Sequence, residues 1–246
     1  MSSHHVVPHT ITVRPFTPED FERVVDLMPP EWSFTGCSAT EARAQARMDF
    51  AGVLSCCNVR LVAESTALSA TSGTAPLAGI LFARLEALPA PEDASVWEGL
   101  WEEAHQELLA GSPHALLAAR YEEQLGERGS LLVQAAGSAM GQDNELELFV
   151  ANPTMRGCGA GSALMAAFDD ILAAHHATSY WLQTDTTCTW EWYEHHGYVR
   201  AADVELSAHY PMPPEGSHLS LHAERHRVFM YRRDCPQDCT NASSLQ

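Results

Sequence analysis

The sequence contains no lysine: all 14 of its basic residues are arginines, set against 32 acidic residues for a formal net charge of −18. A nucleic-acid groove gathers cations to displace the counterions of phosphates, and an anionic membrane surface asks for similar clusters. None stands in the chain, so neither partner is expected. The missing lysine also removes the phosphate loop G-x-x-x-x-G-K-[ST], whose lysine reaches the phosphates. No apolar run approaches the roughly 18 residues of a membrane span. The opening MSSHHVVPHTITVRPF lacks the basic and then apolar regions of a signal peptide. The seven cysteines are odd in number and irregularly spaced, unlike a disulfide framework, so a reducing, cytoplasmic setting is expected. Neither C-x-x-C nor H-E-x-x-H occurs; no metal is expected, and the pairs His175/His176 and His195/His196 read as solvated helix ends.

What is present is enough apolar material for a core, 46% of 246 residues, and residues 1–246 read as one domain. TITVRPF (10–16) alternates as a strand. Thr17 and Pro18 then open a helix, with Glu19 and Asp20 at its positive end. Ser38 and Glu41 form a capping box for a second helix. Strands follow at 58–65 and 76–88. A helical insertion, 89–142, is periodic from Val96 to Arg128. ELELFV (145–150) is a strand, SALMAAFDDILAAHH a helix, SYWLQTDTT (179–187) a strand, CTWEWYEHHG a short helix, and two strands close the pattern. The tail, 234–246, is expected to be loose. The order β-α-α-β-β, inserted helices, β-α-β-α-β-β implies an α/β (α+β) fold: one mixed sheet with helices on both faces.

The junction NPTMRGCGAG (152–161) carries three glycines between a strand and a helix. The first N–H groups of a helix have no acceptor within it, the dipole adds partial positive charge, and glycine lets an anion approach the backbone. A phosphate or pyrophosphate is the ligand this suits. A dinucleotide fingerprint G-x-G-x-x-G fits Gly157 and Gly159 but meets Ser162 at its last position. The pattern R-G-x-G-x-G fits Arg156, Gly157, Gly159 and Gly161 without a gap.

With that loop the sequence resembles the GCN5-related N-acetyltransferases, the GNAT superfamily. Their acetyl-CoA signature runs V-x-P-x-x-R/Q-G-x-G-x-G/A between a strand and a helix; here Pro153 falls one residue late. A second block of the family, F-Y-x-x-x-G-F, is matched by WYEHHGY (192–198). The resemblance covers about 145–206. It implies a mostly antiparallel central sheet in which ELELFV and WLQTDT are parallel and splay around acetyl-CoA. The pyrophosphate would rest on Arg156, Gly157, Cys158, Gly159, Ala160, Gly161 and Ser162. The pantetheine arm would lie along Phe149, Val150 and Ala151 like an added strand.

The resemblance further implies direct attack of an amine on the thioester. The N–H of Val150 or Phe149 would face the developing oxyanion. Tyr193 would protonate the departing thiolate; a phenol at pKa about 10 and a thiol at about 8.5 are closely enough matched. Glu145 and Glu147 alternate along the strand, are expected on one side opposite Leu146 and Leu148, and either would take the amine's proton. Where the family often has an asparagine before the tyrosine helix, Thr186 stands. Glu31, Trp32 and Phe34, in the loop between the first two helices, are expected to line the acceptor pocket, with Trp190 and Trp192 on its far wall. Acid beside aromatic suits a small cationic amine. The insertion would cover that pocket or offer a surface to a second copy of the chain. Two alternatives stay open: acetylation of a protein or peptide, and a non-catalytic acyl-CoA-binding regulator.

Overall fold

The structure is a computed structural model and describes residues 10–28, 38–65, 75–111, 129–137, 144–186, 188–205 and 227–235. Its strands are β1 (Ile11–Pro15), β2 (Val59–Ser65), β3 (Leu77–Arg84), β4 (Glu145–Ala151), β5 (Ser179–Asp185), β6 (Val199–Glu205) and β7 (Arg227–Asp234). They form one sheet in the order β1-β2-β3-β4-β5-β7-β6. Every neighbouring pair is antiparallel except β4 with β5, so the sheet is mixed and mostly antiparallel, as expected. β3 is central and covered on both faces, and all its residues but Arg84 are buried. It stops at Arg84, not at Leu88. The side chain of Asn58 accepts from the Leu85 amide at 2.8 Å and donates to the Leu85 carbonyl at 2.9 Å. That clamp turns the chain out of the sheet.

Helices lie on both faces. On one, α5 (Ala160–Ala174) buries Leu164, Phe168 and Leu172 against Leu81, Ala83, Leu146, Tyr180 and Leu182. Gly79 in β3 permits the approach: a Cβ there would stand 2.8 Å from the Val150 carbonyl oxygen and 3.1 Å from Leu164 Cδ1. On the other face lie α1 (Phe21–Val25), α2 (Ala39–Cys56) and α3 (Ala94–Gly111). The apolar spacing of α3 explains its seat. Trp97, Ala104 and Leu108 are buried, and Ala104, Leu108 and Trp101 pack on Ala44 and Met48 of α2. Asp93, just before α3, receives both guanidinium nitrogens of Arg60 at 2.8 Å and the Trp97 indole at 2.7 Å. This part of the insertion is therefore bound into the core layer.

The predicted capping box of α2 is present, with Glu41 N–H donating to Ser38 Oγ at 3.2 Å and Ser38 N–H to Glu41 Oε2 at 2.7 Å. Three details differ from the sequence reading. The helix opened by Thr17 is a short 3-10 turn, Pro18–Asp20, running into α1. Asp20, expected at the positive end of a helix dipole, is instead buried and held by side chains, Arg14 at 2.6 Å and Arg23 at 2.8 Å. In the insertion, residues 112–128 lie outside the described set, but residues 129–136 form α4, beyond Arg128 where the periodic reading ended. Its Leu132 and Ala136, one turn apart, pack with Trp181, Val228 and Met230. The tail is described only to Cys235.

Candidate active site

The parallel pair β4 and β5 forms a fork. Its root is the ladder pair Glu145↔Trp181, where Trp181 N–H donates to the Asn144 carbonyl at 3.0 Å. The Asn144 side chain ties the root on both sides, donating to the Ser179 carbonyl at 3.0 Å and accepting from the Glu86 amide at 3.0 Å. Beyond it no further β4–β5 pair occurs among the described residues, so the strands part toward Ala151.

The far edge of β4 decides which amides face the opening. Asn152 N–H donates to the Ala78 carbonyl of the β3 segment at 3.0 Å. Amide direction alternates along a strand, so Val150 also turns its N–H to β3. Phe149 and Ala151 turn theirs outward, toward β5. Of the two expected oxyanion donors, geometry favours Phe149 over Val150.

At the mouth of the fork Asn152 anchors the glycine junction. Its side chain donates to the Leu77 carbonyl at 2.9 Å and accepts from Thr154 N–H at 3.0 Å. Gly157 and Gly159 have φ of +79° and +87°, values that only glycine adopts without strain, and nothing would crowd a Cβ on either. Gly159 is the N-cap of α5. The first amide of the helix to find an acceptor in it is Ala163, bonded to the Gly159 carbonyl at 3.0 Å. The N–H groups of Ala160, Gly161 and Ser162 therefore have no acceptor within the helix. Arg156 and Ser162 are exposed beside them, and Cys158 is partly buried against the core under α5. Gly161 lets α5 start against Phe149, whose Cζ would be 3.3 Å from a Cβ there. These residues form an open cradle of amides that fits a pyrophosphate.

On the α2 side of the sheet stand the two glutamates. The β3–β4 register steps from Phe82↔Leu148 to Ala83↔Leu146, so Glu147 is the extra residue of a bulge. The expectation that Leu146 and Leu148 share a side fails for this reason. Leu146 lies under α5, whereas Leu148 packs with Val150 toward α1–α3. Glu145 and Glu147 do share a side. Arg84 Nη2 is 3.0 Å from Glu145 Oε2, and its Nε is 4.0 Å from Glu147 Oε1. The Gln183 amide lies 3.5 Å from Glu145 Oε1. Burial first, and then the neighbouring Glu147, push the Glu145 carboxyl up to about 9 against the pull of Arg84.

Tyr193 lies across the sheet, on the α5 side, in α6 (Glu191–His195). Its ring stacks on Tyr231 at 5.7 Å and meets Tyr198 edge-on at 5.2 Å. Burial raises its phenol well above the ordinary value, and Tyr198, Cys188 and Tyr231 add to this. It is a proton holder at any working pH. Trp192 meets Phe149 at 5.6 Å and carries His196 stacked at 3.8 Å, joining α6 to β4. Trp190 packs on Phe229 at 5.2 Å. Both tryptophans are on the Tyr193 face. Thr186 is exposed, its hydroxyl 3.4 Å from the Arg227 amide that donates to it. Glu31, Trp32 and Phe34 lie outside the described residues.

The structure thus brings together β4, the glycine junction, Tyr193 and the glutamate pair around one fork. It adds Arg84, Asn144 and Gln183, which the sequence reading missed. Asn144 carried a local signal, a turn-former abutting the strand; Arg84 and Gln183 enter only through cross-strand register. No cluster of three or more metal-ligating side chains occurs among the described residues, and no described helix is long and apolar enough to cross a membrane.

A splayed parallel pair thus interrupts an otherwise antiparallel sheet, with a glycine-lined helix start at its mouth. Residues 82–198 match the model of the acetyltransferase (GNAT) family. No curated protein matches it in sequence. Among solved structures it is similar to Ard1 from Thermoplasma volcanium (13% identity, 92% of this chain and 99% of that one, TM-score 0.46). It is also similar to arylalkylamine N-acetyltransferase 2 from Aedes aegypti (12%, 92% and 99%, 0.46). A third is the ribosomal-protein-S18-alanine N-acetyltransferase from Escherichia coli (10%, 94% and 98%, 0.46).

Proposed function

We propose that the protein transfers an acetyl group from acetyl-CoA to the primary amine of a small, cationic molecule. The observation that carries this reading is the fork itself: outward amides on β4 leading to free helix-start amides at Ala160–Ser162. Acetyl-CoA, bound there, would supply the reactive thioester. The cradle from Arg156 to Ser162 holds its pyrophosphate, and Phe149 and Ala151 pair with the pantetheine arm. Phe149 N–H points at the position where negative charge grows on the carbonyl oxygen. Tyr193, kept protonated by its surroundings, gives its phenolic proton to the departing sulfur. The Glu145–Glu147 pair, on the opposite face, receives the proton of the attacking amine. Because Glu145 sits near 9, the rate should rise with pH toward that value. The same carboxyls, with a chain charge of −18, favour a cationic acceptor.

The test is thiol release from acetyl-CoA against polyamines, aminoglycosides, amino acids and peptides, repeated with Tyr193→Phe. Release with small amines is expected, and the variant should lose about 10²-fold in kcat while coenzyme A still binds. Release with peptides alone would move the acceptor to a protein. Binding without release to any amine would make the chain a regulator.

A further inference from the structure

We infer that Arg84 is a positioning residue for the Glu145–Glu147 pair, holding the two carboxyls on one side of β4 under a single guanidinium. The inference rests on the proposed acyl transfer for its place in a reaction, but its geometry stands apart from it. Arg84 ends β3 directly opposite Glu145 in the ladder. From there one guanidinium spans both carboxyls, 3.0 Å from Glu145 and 4.0 Å from Glu147. Glu147 comes within its reach because the bulge shifts it relative to β3.

The surroundings make the guanidinium decisive. The Glu145 side chain is 7% exposed. From β5 the neutral amide of Gln183 faces it at 3.5 Å. From the end of α2, the thiols of Cys56 and Cys57 lie near the pair, and the Cys56 thiol, with burial after it, holds Cys57 protonated. Arg84 is therefore the only cation against the pair among the described residues. Burial and the neighbouring Glu147 favour a proton on Glu145; Arg84 opposes both. Removing it must strengthen the hold on that proton, since an opposite charge at hydrogen-bond distance lowers a carboxyl's pKa by about 1–3. The planar fork matters as well as the charge, because a lysine ammonium reaches one carboxyl at a time.

The experiment compares the full-length protein with Arg84→Gln and Arg84→Lys. The protonated carboxyl of Glu145 is followed by its infrared C=O band against pH, assigned by its loss in Glu145→Gln. In parallel, kcat/KM is measured against pH with the best amine of the panel. Arg84→Gln should raise the midpoint of the band by about one pH unit and carry the acidic limb of the rate profile with it, and Arg84→Lys should fall between. An unmoved midpoint in folded Arg84→Gln would overturn the inference, whatever the rate does. A moved midpoint in a protein that acetylates no amine would uphold the hold of Arg84 on the pair and remove the proposed function instead.

Discussion

Glu145 shows how a single side chain takes its chemistry from its neighbours. In water it would titrate near 4.5; here burial, with Glu147 behind it, carries it to about 9. The folded state therefore binds this proton more tightly than the unfolded chain. Its contribution to stability is complete below pH 4.5 and is lost as pH rises through 9. Glu145→Gln should remove that slope: thermal melts from pH 5 to 9.5 should show the variant gaining on the parent at the alkaline end and matching it near pH 5. A parent and variant that melt in parallel would mean that the carboxyl is ionised throughout. Tyr193 is moved the same way by burial, yet because it starts near 10 the result is a group that stays protonated and is a weaker acid than a free phenol.

At the scale of the element, the junction between β4 and α5 was legible in advance because its signals are local. Glycines at the positions that need a left-handed backbone, and a Ser38–Glu41 box in front of α2, are written within a few residues of where they act. The bulge at Glu147 was not legible, since it exists only in the register of β4 on β3. Arg84 and Gln183 stayed hidden for that reason, and Leu148 was assigned to the wrong side. α4 lies within the expected helical insertion but beyond its periodic part, because its buried stripe is two residues long and faces Trp181 on a strand far along the chain. Glu31, Trp32 and Phe34, expected to line the acceptor pocket, fall outside the described residues. Gly159→Val tests the junction. A branched side chain at φ +87° should cost about 1–2 kcal/mol in chemical denaturation and weaken coenzyme A binding at least tenfold by calorimetry, with melting still cooperative. Affinity equal to the parent's would remove the cradle from the binding site.

Across the whole molecule, the N-terminal elements are tied by one buried acid. Asp20 takes Arg14 of β1 and Arg23 of α1, and both arginines also reach Glu64 of β2, at 2.7 and 3.1 Å. Burial alone would raise the Asp20 carboxyl, but Arg14 and Thr17 overcome it and hold it at about 2. This stability is present above its ordinary value of 3.8 and lost as pH falls through 2. Asp20→Asn leaves two guanidinium groups short of a partner and should cost about 3 kcal/mol in urea unfolding at pH 7, with little loss of coenzyme A affinity in whatever fraction stays folded. The two halves of the sheet, by contrast, share a single ladder pair among the described residues, Glu145↔Trp181. A molecule with so slender a seam through its middle behaves as a clasp: whatever slips between the parted strands supplies the missing stitches, so occupancy and mechanical integrity rise together.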